Sequence, residues 1–297
     1  MKKILSSLIF CCAFLFLAQC SHLPKVATEN PLEKKFKQGE ALVAQQKWKE
    51  AESILNEVKV SAVDRRPDLA AQSAYLLAEI YENTAAEEKA LVSLKEALNL
   101  GHLPVQDLWA KIPVRQAVLF SKLNQPDQAL EYLQSAEKGL LKLKQSENLS
   151  QEQWAELYYK MGQVSLQTLS PENISESLLS SKNVQAYLFK SFNLQIKPWS
   201  DKSEKLIYDN YQKFYQFWQR SQEDTQLGSE ILDILYHAEL FAPINTSEVV
   251  EGNQLFKYIS QLKGSIEQKL YAKDEANPLT EESLKNNSLK RNLKFQR

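Results

Sequence analysis

The chain has 297 residues with 36 basic and 37 acidic side chains, a formal net charge of −1, which provides no electrostatic footprint for nucleic acid. Its three cysteines, Cys11, Cys12 and Cys20, all fall in the first twenty residues, so the rest of the chain has no disulfide, thiolate metal site or thiol nucleophile. Seven glycines in the whole chain, with alanine, leucine, glutamate, lysine and glutamine abundant, point to helix throughout, because glycine costs a helix backbone entropy.

At the N-terminus Lys2 and Lys3 precede a mostly apolar run from Ile4 to Leu17, and small Ala18 stands just before Gln19-Cys20. A run of about 14 apolar residues is shorter than the ~20 that span hydrocarbon, so the segment reads as an export signal rather than a membrane helix. Leu17-Ala18-Gln19-Cys20 resembles the lipobox of bacterial lipoproteins. The resemblance implies a signal peptide over 1–19, cleavage before Cys20 and acylation of Cys20, palmitate being one such chain. Two or more acyl chains hold a protein at a bilayer stably where one does not. Ser21, where an aspartate would imply retention at the inner membrane, implies an outer-membrane lipid anchor facing the periplasm. Residues 20–31 read as a tether.

From residue 32 the chain repeats itself at an interval of 39. Ala51, Ala90 and Ala129 are each followed four residues later by Leu55, Leu94 and Leu133. The same interval relates Gly39, Ala78 and Ala117; Leu42, Tyr81 and Phe120; Phe36, Tyr75 and Val114; and Val58, Ala97 and Ala136. Small residues twelve apart let two antiparallel helices approach closely. Each unit is then a helix hairpin that must stack on its neighbours to bury its apolar seam. Gly39-x₂-Leu42, Ala78-x₂-Tyr81 and Ala117-x₂-Phe120, with the alanine-leucine pairs, resemble the tetratricopeptide repeat (TPR). The resemblance implies an all-α, right-handed α-solenoid, with three TPR-like repeats over 32–145. That family repeats every 34 residues, and the five extra residues are expected to lengthen the connections between hairpins.

Beyond Leu149-Ser150 the register fails, since Thr168 stands where alanine is expected. A diverged hairpin is drawn on Gly162 and Ile174-x₃-Leu178, twelve apart again. Further helical segments are expected over 184–194, 200–222, 229–240 and 248–271, apolar at helical spacing. Residues 146–272 thus form a diverged helical half. Within it Tyr208, Tyr211, Phe214, Tyr215, Phe217 and Trp218 are the densest aromatic run, and 208, 211, 215 and 218 share one helix face. That stripe is expected to close the core, while rings left exposed would mark an interaction surface. Residues 273–297 read as a polar, disordered tail, with Lys285, Lys290, Arg291, Lys294 and Arg297 at its end.

Chemistry is scarce. His22, His102 and His237 stand apart, no glycine-rich loop precedes a Lys-Ser or Lys-Thr pair, and Gly228-Ser229 and Gly264-Ser265 lack the second glycine of a nucleophile elbow. The expectation is no catalytic site, metal or cofactor, and no nucleic-acid partner. The TPR resemblance implies an adaptor that holds a partner protein's segment in the groove of its first helices. Carried over by position, that groove has Glu40 and Val43 in the first repeat, Gln72, Tyr75, Glu79 and Glu82 in the second, and Val118 and Lys122 in the third. The second repeat is acidic there and suits basic peptides. Lipoproteins with such repeats resemble accessory subunits of the outer-membrane β-barrel assembly machine and pilotins of secretion systems. The alternatives are a self-associating structural lipoprotein and, behind it, a lipid- or cell-wall-acting enzyme.

Overall fold

The computed structural model describes residues 30–143, 149–167, 174–242 and 254–276. Cys20, the expected signal segment 1–19 and the basic cluster at 285–297 lie outside the described residues. Eleven α-helices and one π-helical turn make up the described architecture: α1 Pro31–Ala44, α2 Trp48–Ala62, α3 Pro67–Asn83, α4 Glu87–Leu100, the π-turn Asp107–Lys111 running into α5 Ile112–Lys122, α6 Pro126–Leu143, α7 Gln151–Gln167, α8 Ile174–Asn193, α9 Trp199–Arg220, α10 Thr225–Glu239 and α11 Gln254–Ala276. Successive helices pair antiparallel-fashion as hairpins that stack in chain order, giving an all-α TPR-like solenoid.

Local sequence sets the helix ends. Asn30 caps α1 by accepting from the Leu32 amide at 3.0 Å, with Pro31 in the first turn. Pro67 and Pro126 open α3 and α6. Ser150 and Gln153 form a reciprocal capping box at the start of α7, with the Gln153 amide donating to Ser150 Oγ at 3.2 Å and the Ser150 amide to Gln153 Oε1 at 3.0 Å. The first three hairpins turn identically. Gln46, Ala85 and Asn124, again 39 apart, adopt left-handed φ values of 58°, 54° and 56°. The amide after each donates five residues back, Lys47 to Leu42 O, Ala86 to Tyr81 O and Gln125 to Phe120 O, closing the helix in a Schellman-type turn.

The repeat columns are the core. Ala51, Ala90 and Ala129, with Ala78 and Ala117, are wholly buried, as are Leu55, Leu94, Val58, Ala97 and Ala136. A β-carbon on Gly39 would sit 2.7 Å from Leu55 Cδ2, so the smallest residue marks the tightest helix contact. The clusters overlap along the chain: α1 to α4, α3 to α5, α5 to α8, and α8 to α11.

Three expectations are corrected. Only residues 63–66 separate α2 from α3, so the extra length of the repeat there extends helices, α3 reaching 17 residues, rather than that connection. In the fourth hairpin Gly162 packs under Leu188, whose Cδ2 would lie 2.5 Å from an added β-carbon. Gly39 to Leu55 is 16 residues and Gly162 to Leu188 is 26, so although α8 begins at Ile174 the contact falls ten residues further along the chain than drawn, and Val184-x₃-Leu188 plays the part of Ala51-x₃-Leu55. Helix α11 continues to Ala276, past the expected start of the tail at 273.

The aromatic helix is α9. Trp218 is wholly buried, and its indole N–H donates to the Asp224 carbonyl at 2.8 Å. Tyr211 is buried too, its hydroxyl donating to Gln185 Oε1 at 2.6 Å, and burial raises its phenol pKa. Those two are core, not surface, because each sits on the face that meets α8, α10 and α11 and has its polar atom satisfied inside. Phe214 and Tyr215 are half-buried, while Tyr208 and Phe217 are exposed.

Candidate functional site

First helices of neighbouring hairpins pack against each other in this stack: α1 on α3, α5 on α7, α7 on α9. The exception is α3 and α5, whose contact runs instead through α4. The side chains between them explain the gap. Tyr75 of α3 and Arg115 of α5 meet with the guanidinium carbon 4.5 Å from the ring centroid, a stack too thick for close helix contact. The result is a cleft of about 540 Å³ walled by α3, α5 and α7.

Its floor is apolar, made by Val114, Leu119 and Leu157, which are buried, with half-buried Val118 beside them. Its rim is charged. Glu79, Glu82 and Asn83 come from α3, Lys111, Arg115 and Lys122 from the π-turn and α5, and Gln153, Glu156 and Lys160 from α7. Spacings of three and four residues (75, 79, 82; 111, 115, 118, 122; 153, 156, 160) put each set on one helix face. The π-turn matters here, since it carries Asp107 and Lys111, paired at 2.7 Å, into line with Arg115.

Arg115 joins the two walls. Its Nε donates to Glu82 Oε1 at 2.7 Å, and its side chain is only 9% exposed. Burial works against the guanidinium charge, but Glu82 and Tyr75 outweigh it and hold the pKa above its ordinary value. Arg115 Nη2 is buried without a hydrogen-bond partner. Burial also pushes the Tyr75 phenol up, with the Arg115 charge opposing.

Of the groove residues read from the sequence, the structure brings Tyr75, Glu79, Glu82, Val118 and Lys122 together on this cleft. Glu40 is exposed on α1, Gln72 is half-buried near the start of α3, and neither lines it. Val43 is corrected: it is buried in the α1–α4 core, where it offers a partner no surface. Sequence reasoning missed Arg115, Lys111, Glu156 and Lys160. Arg115 was legible three residues before Val118 on the same face, whereas α7 was not, because Gly162 follows Ala117 by 45 residues instead of 39.

A second, smaller depression of about 370 Å³ lies between α9 and α11. Tyr208 stacks on Tyr258 there, ring centroids 4.1 Å apart, and burial, with the neighbouring phenols Tyr208 and Tyr215, pushes the Tyr258 hydroxyl up to about 12. Among the described residues no group of three His, Cys, Asp or Glu side chains is placed to hold a metal ion, and no helix is long and apolar enough to cross a membrane.

No protein-family model matches the sequence, and no curated protein does. Three solved structures are similar to the chain. YrrB, described as a TPR protein with an unusual peptide-binding site, is 14% identical over 76% of this chain and 90% of its own, with a TM-score of 0.38. BtubC (BKLC) from P. vanneervenii is 16% identical over 82% and 93%, with a TM-score of 0.42. A tetratricopeptide repeat protein from Parabacteroides merdae is 14% identical over 86% and 96%, with a TM-score of 0.39.

Proposed function

We propose that this chain is a lipid-anchored adaptor of the bacterial cell envelope, held at the outer membrane through Cys20 and facing the periplasm, that grips a segment of a partner protein in the cleft between α3, α5 and α7. The observation that carries the reading is the separation of α3 from α5, which opens an apolar floor under a charged rim where the other first helices close on each other. A concave site with an apolar floor and a few polar groups is what a bound segment requires. Assembly of outer-membrane or secretion machinery is the setting that the signal and the repeats suggest together.

Photo-crosslinking in the native envelope tests this. A photoreactive residue at position 118, in the cleft, should give one dominant adduct with a foreign envelope protein, while the same residue at position 60, 73% exposed on α2, should not. Equal labelling from both positions, or adducts only with further copies of this chain, would overturn the reading in favour of self-association. Cys20→Ala should abolish acylation and leave the precursor uncleaved, and normal maturation of that variant would remove the anchor.

A further inference from the structure

Once Asp107 and Glu87, which pair two of its lysines from outside the lining, are counted, the cleft has one carboxylate left over, and that residue says what the occupant brings. Each cation on its wall already has a carboxylate: Lys111 with Asp107 at 2.7 Å, Arg115 with Glu82 at 2.7 Å, Lys160 with Glu156 at 2.6 Å and Lys122 with Glu87 at 3.9 Å. Among the described residues the Glu79 carboxylate has no cation within ion-pair distance, although it is half-buried in the cleft wall. One turn on, Asn83, also in the lining, donates its amide N–H to the Glu79 backbone carbonyl at 2.8 Å, which leaves its Oδ1 to accept.

We propose that the cleft is a receptor for one basic side chain of the partner polypeptide, a lysine or arginine whose cation meets Glu79 and Asn83 Oδ1 while its aliphatic stem lies along Val118 and Tyr75. This rests on the reading of the cleft as a site for a protein segment. A long amphipathic side chain fits because it buries its stem against apolar surface and delivers its charge at the rim. An acidic side chain could reach the unpartnered Arg115 Nη2, but Glu82 already holds Nε of that guanidinium, and elsewhere on the wall it would have to displace Asp107, Glu156 or Glu87 from its lysine. The partial desolvation of Glu79 makes its pairing stronger than that of an exposed carboxylate.

The test uses the full-length chain in detergent and three acetylated, amidated, fluorescein-labelled peptides, Leu-Ala-X-Ala-Leu, with lysine, norleucine or glutamate at X. Fluorescence anisotropy gives each dissociation constant. The lysine peptide should bind about fivefold tighter than the norleucine peptide, and the glutamate peptide weakest. Glu79→Gln should bring the lysine and norleucine dissociation constants together, and Glu79→Lys should transfer the preference to glutamate, a reversal that misfolding does not produce. If the norleucine peptide binds, is weakened by Val118→Asp, and yet lysine gains nothing or keeps its gain in Glu79→Gln, the cation site is wrong and the cleft reading stands. If no peptide binds, both fall.

Discussion

The Glu82–Arg115 pair makes the cleft's two walls one structure, and its two halves should respond unequally to removal. Glu82 is 23% exposed in its side chain and Arg115 9%. Glu82→Ala strands the guanidinium: Nη2 is already without a partner, Nε loses its acceptor, and only Tyr75, through its ring and its hydroxyl, remains. Removing one partner of a buried pair costs about 3–5 kcal/mol, and since Arg115 can draw some water through the open cleft, about 2–4 kcal/mol is expected. Arg115→Met keeps the stem against Tyr75 and leaves Glu82 free to turn to solvent, at a cost of about 1 kcal/mol. The double variant should resemble Arg115→Met, giving a coupling of about 2–4 kcal/mol, the whole cost of the Glu82 single. Urea denaturation at constant m measures all three, and hydrogen exchange should show α3 and α5 amides losing protection before those of α1 or α10. If Glu82→Ala costs no more than Arg115→Met, or the coupling falls under about 0.5 kcal/mol, the pair does not hold the walls. The result also governs how binding variants are chosen, because Glu82 substitutions perturb the site's frame whereas Glu79 ones do not.

Two glycines make opposed predictions. A β-carbon on Gly139 of α6 would lie 1.7 Å from the Trp109 carbonyl oxygen of the π-turn, so Gly139→Ala must push backbone from backbone and should cost upwards of about 3 kcal/mol, whereas Gly264 of α11 has open space and Gly264→Ala should gain about 0.5–1 kcal/mol. Thermal melts decide both, and a neutral Gly139→Ala would mean that the π-turn is not clamped there. Ala85 holds a left-handed φ that asparagine tolerates better, and Asn124 occupies the corresponding turn of the next hairpin. Ala85→Asn should therefore stabilise the chain by about 0.5–1 kcal/mol, measured as a rise in urea midpoint, and a fall would place the turn in another conformation.

What the sequence disclosed follows from the range over which each constraint acts. The small-residue columns predicted burial position by position because a close helix crossing admits only a small residue, and that demand is local to one hairpin: Ala51, Ala90 and Ala129 have no exposed surface, whereas Leu42, Tyr81 and Phe120 are half-buried. The identical turns at 46, 85 and 124 share that locality. Past Ser150 the same physics operates with glycine under leucine, but six residues late in α7 and ten more in α8, and a fixed period cannot see a contact whose spacing has changed. The aromatic helix was divisible only in three dimensions, since Tyr211 and Trp218 face three other helices while Phe217 faces water. The cleft was half legible for the same reason. Its α3 and α5 residues fall in register, its α7 residues do not, and the Glu82–Arg115 pair joins positions 33 apart that no periodic column relates.

The cleft's position within the stack also bears on what binding can do. A solenoid's stability is approximately the sum of its repeats and their nearest-neighbour interfaces, so the joint with the least direct contact is the one most open to change by a ligand. Between the second and third hairpins the second helix α4 still packs on α5, but across the cleft α3 and α5 are joined by Tyr75, Arg115 and Glu82. An occupant seated on Val118 and Glu79 would touch both walls and so supply the first-helix contact that α1 and α3, or α5 and α7, make for themselves. Its binding energy would then depend on the angle between the hairpins, and the hairpin angle on its presence, which is the reciprocal coupling that turns a repeat array from a passive surface into one whose ends report on its middle.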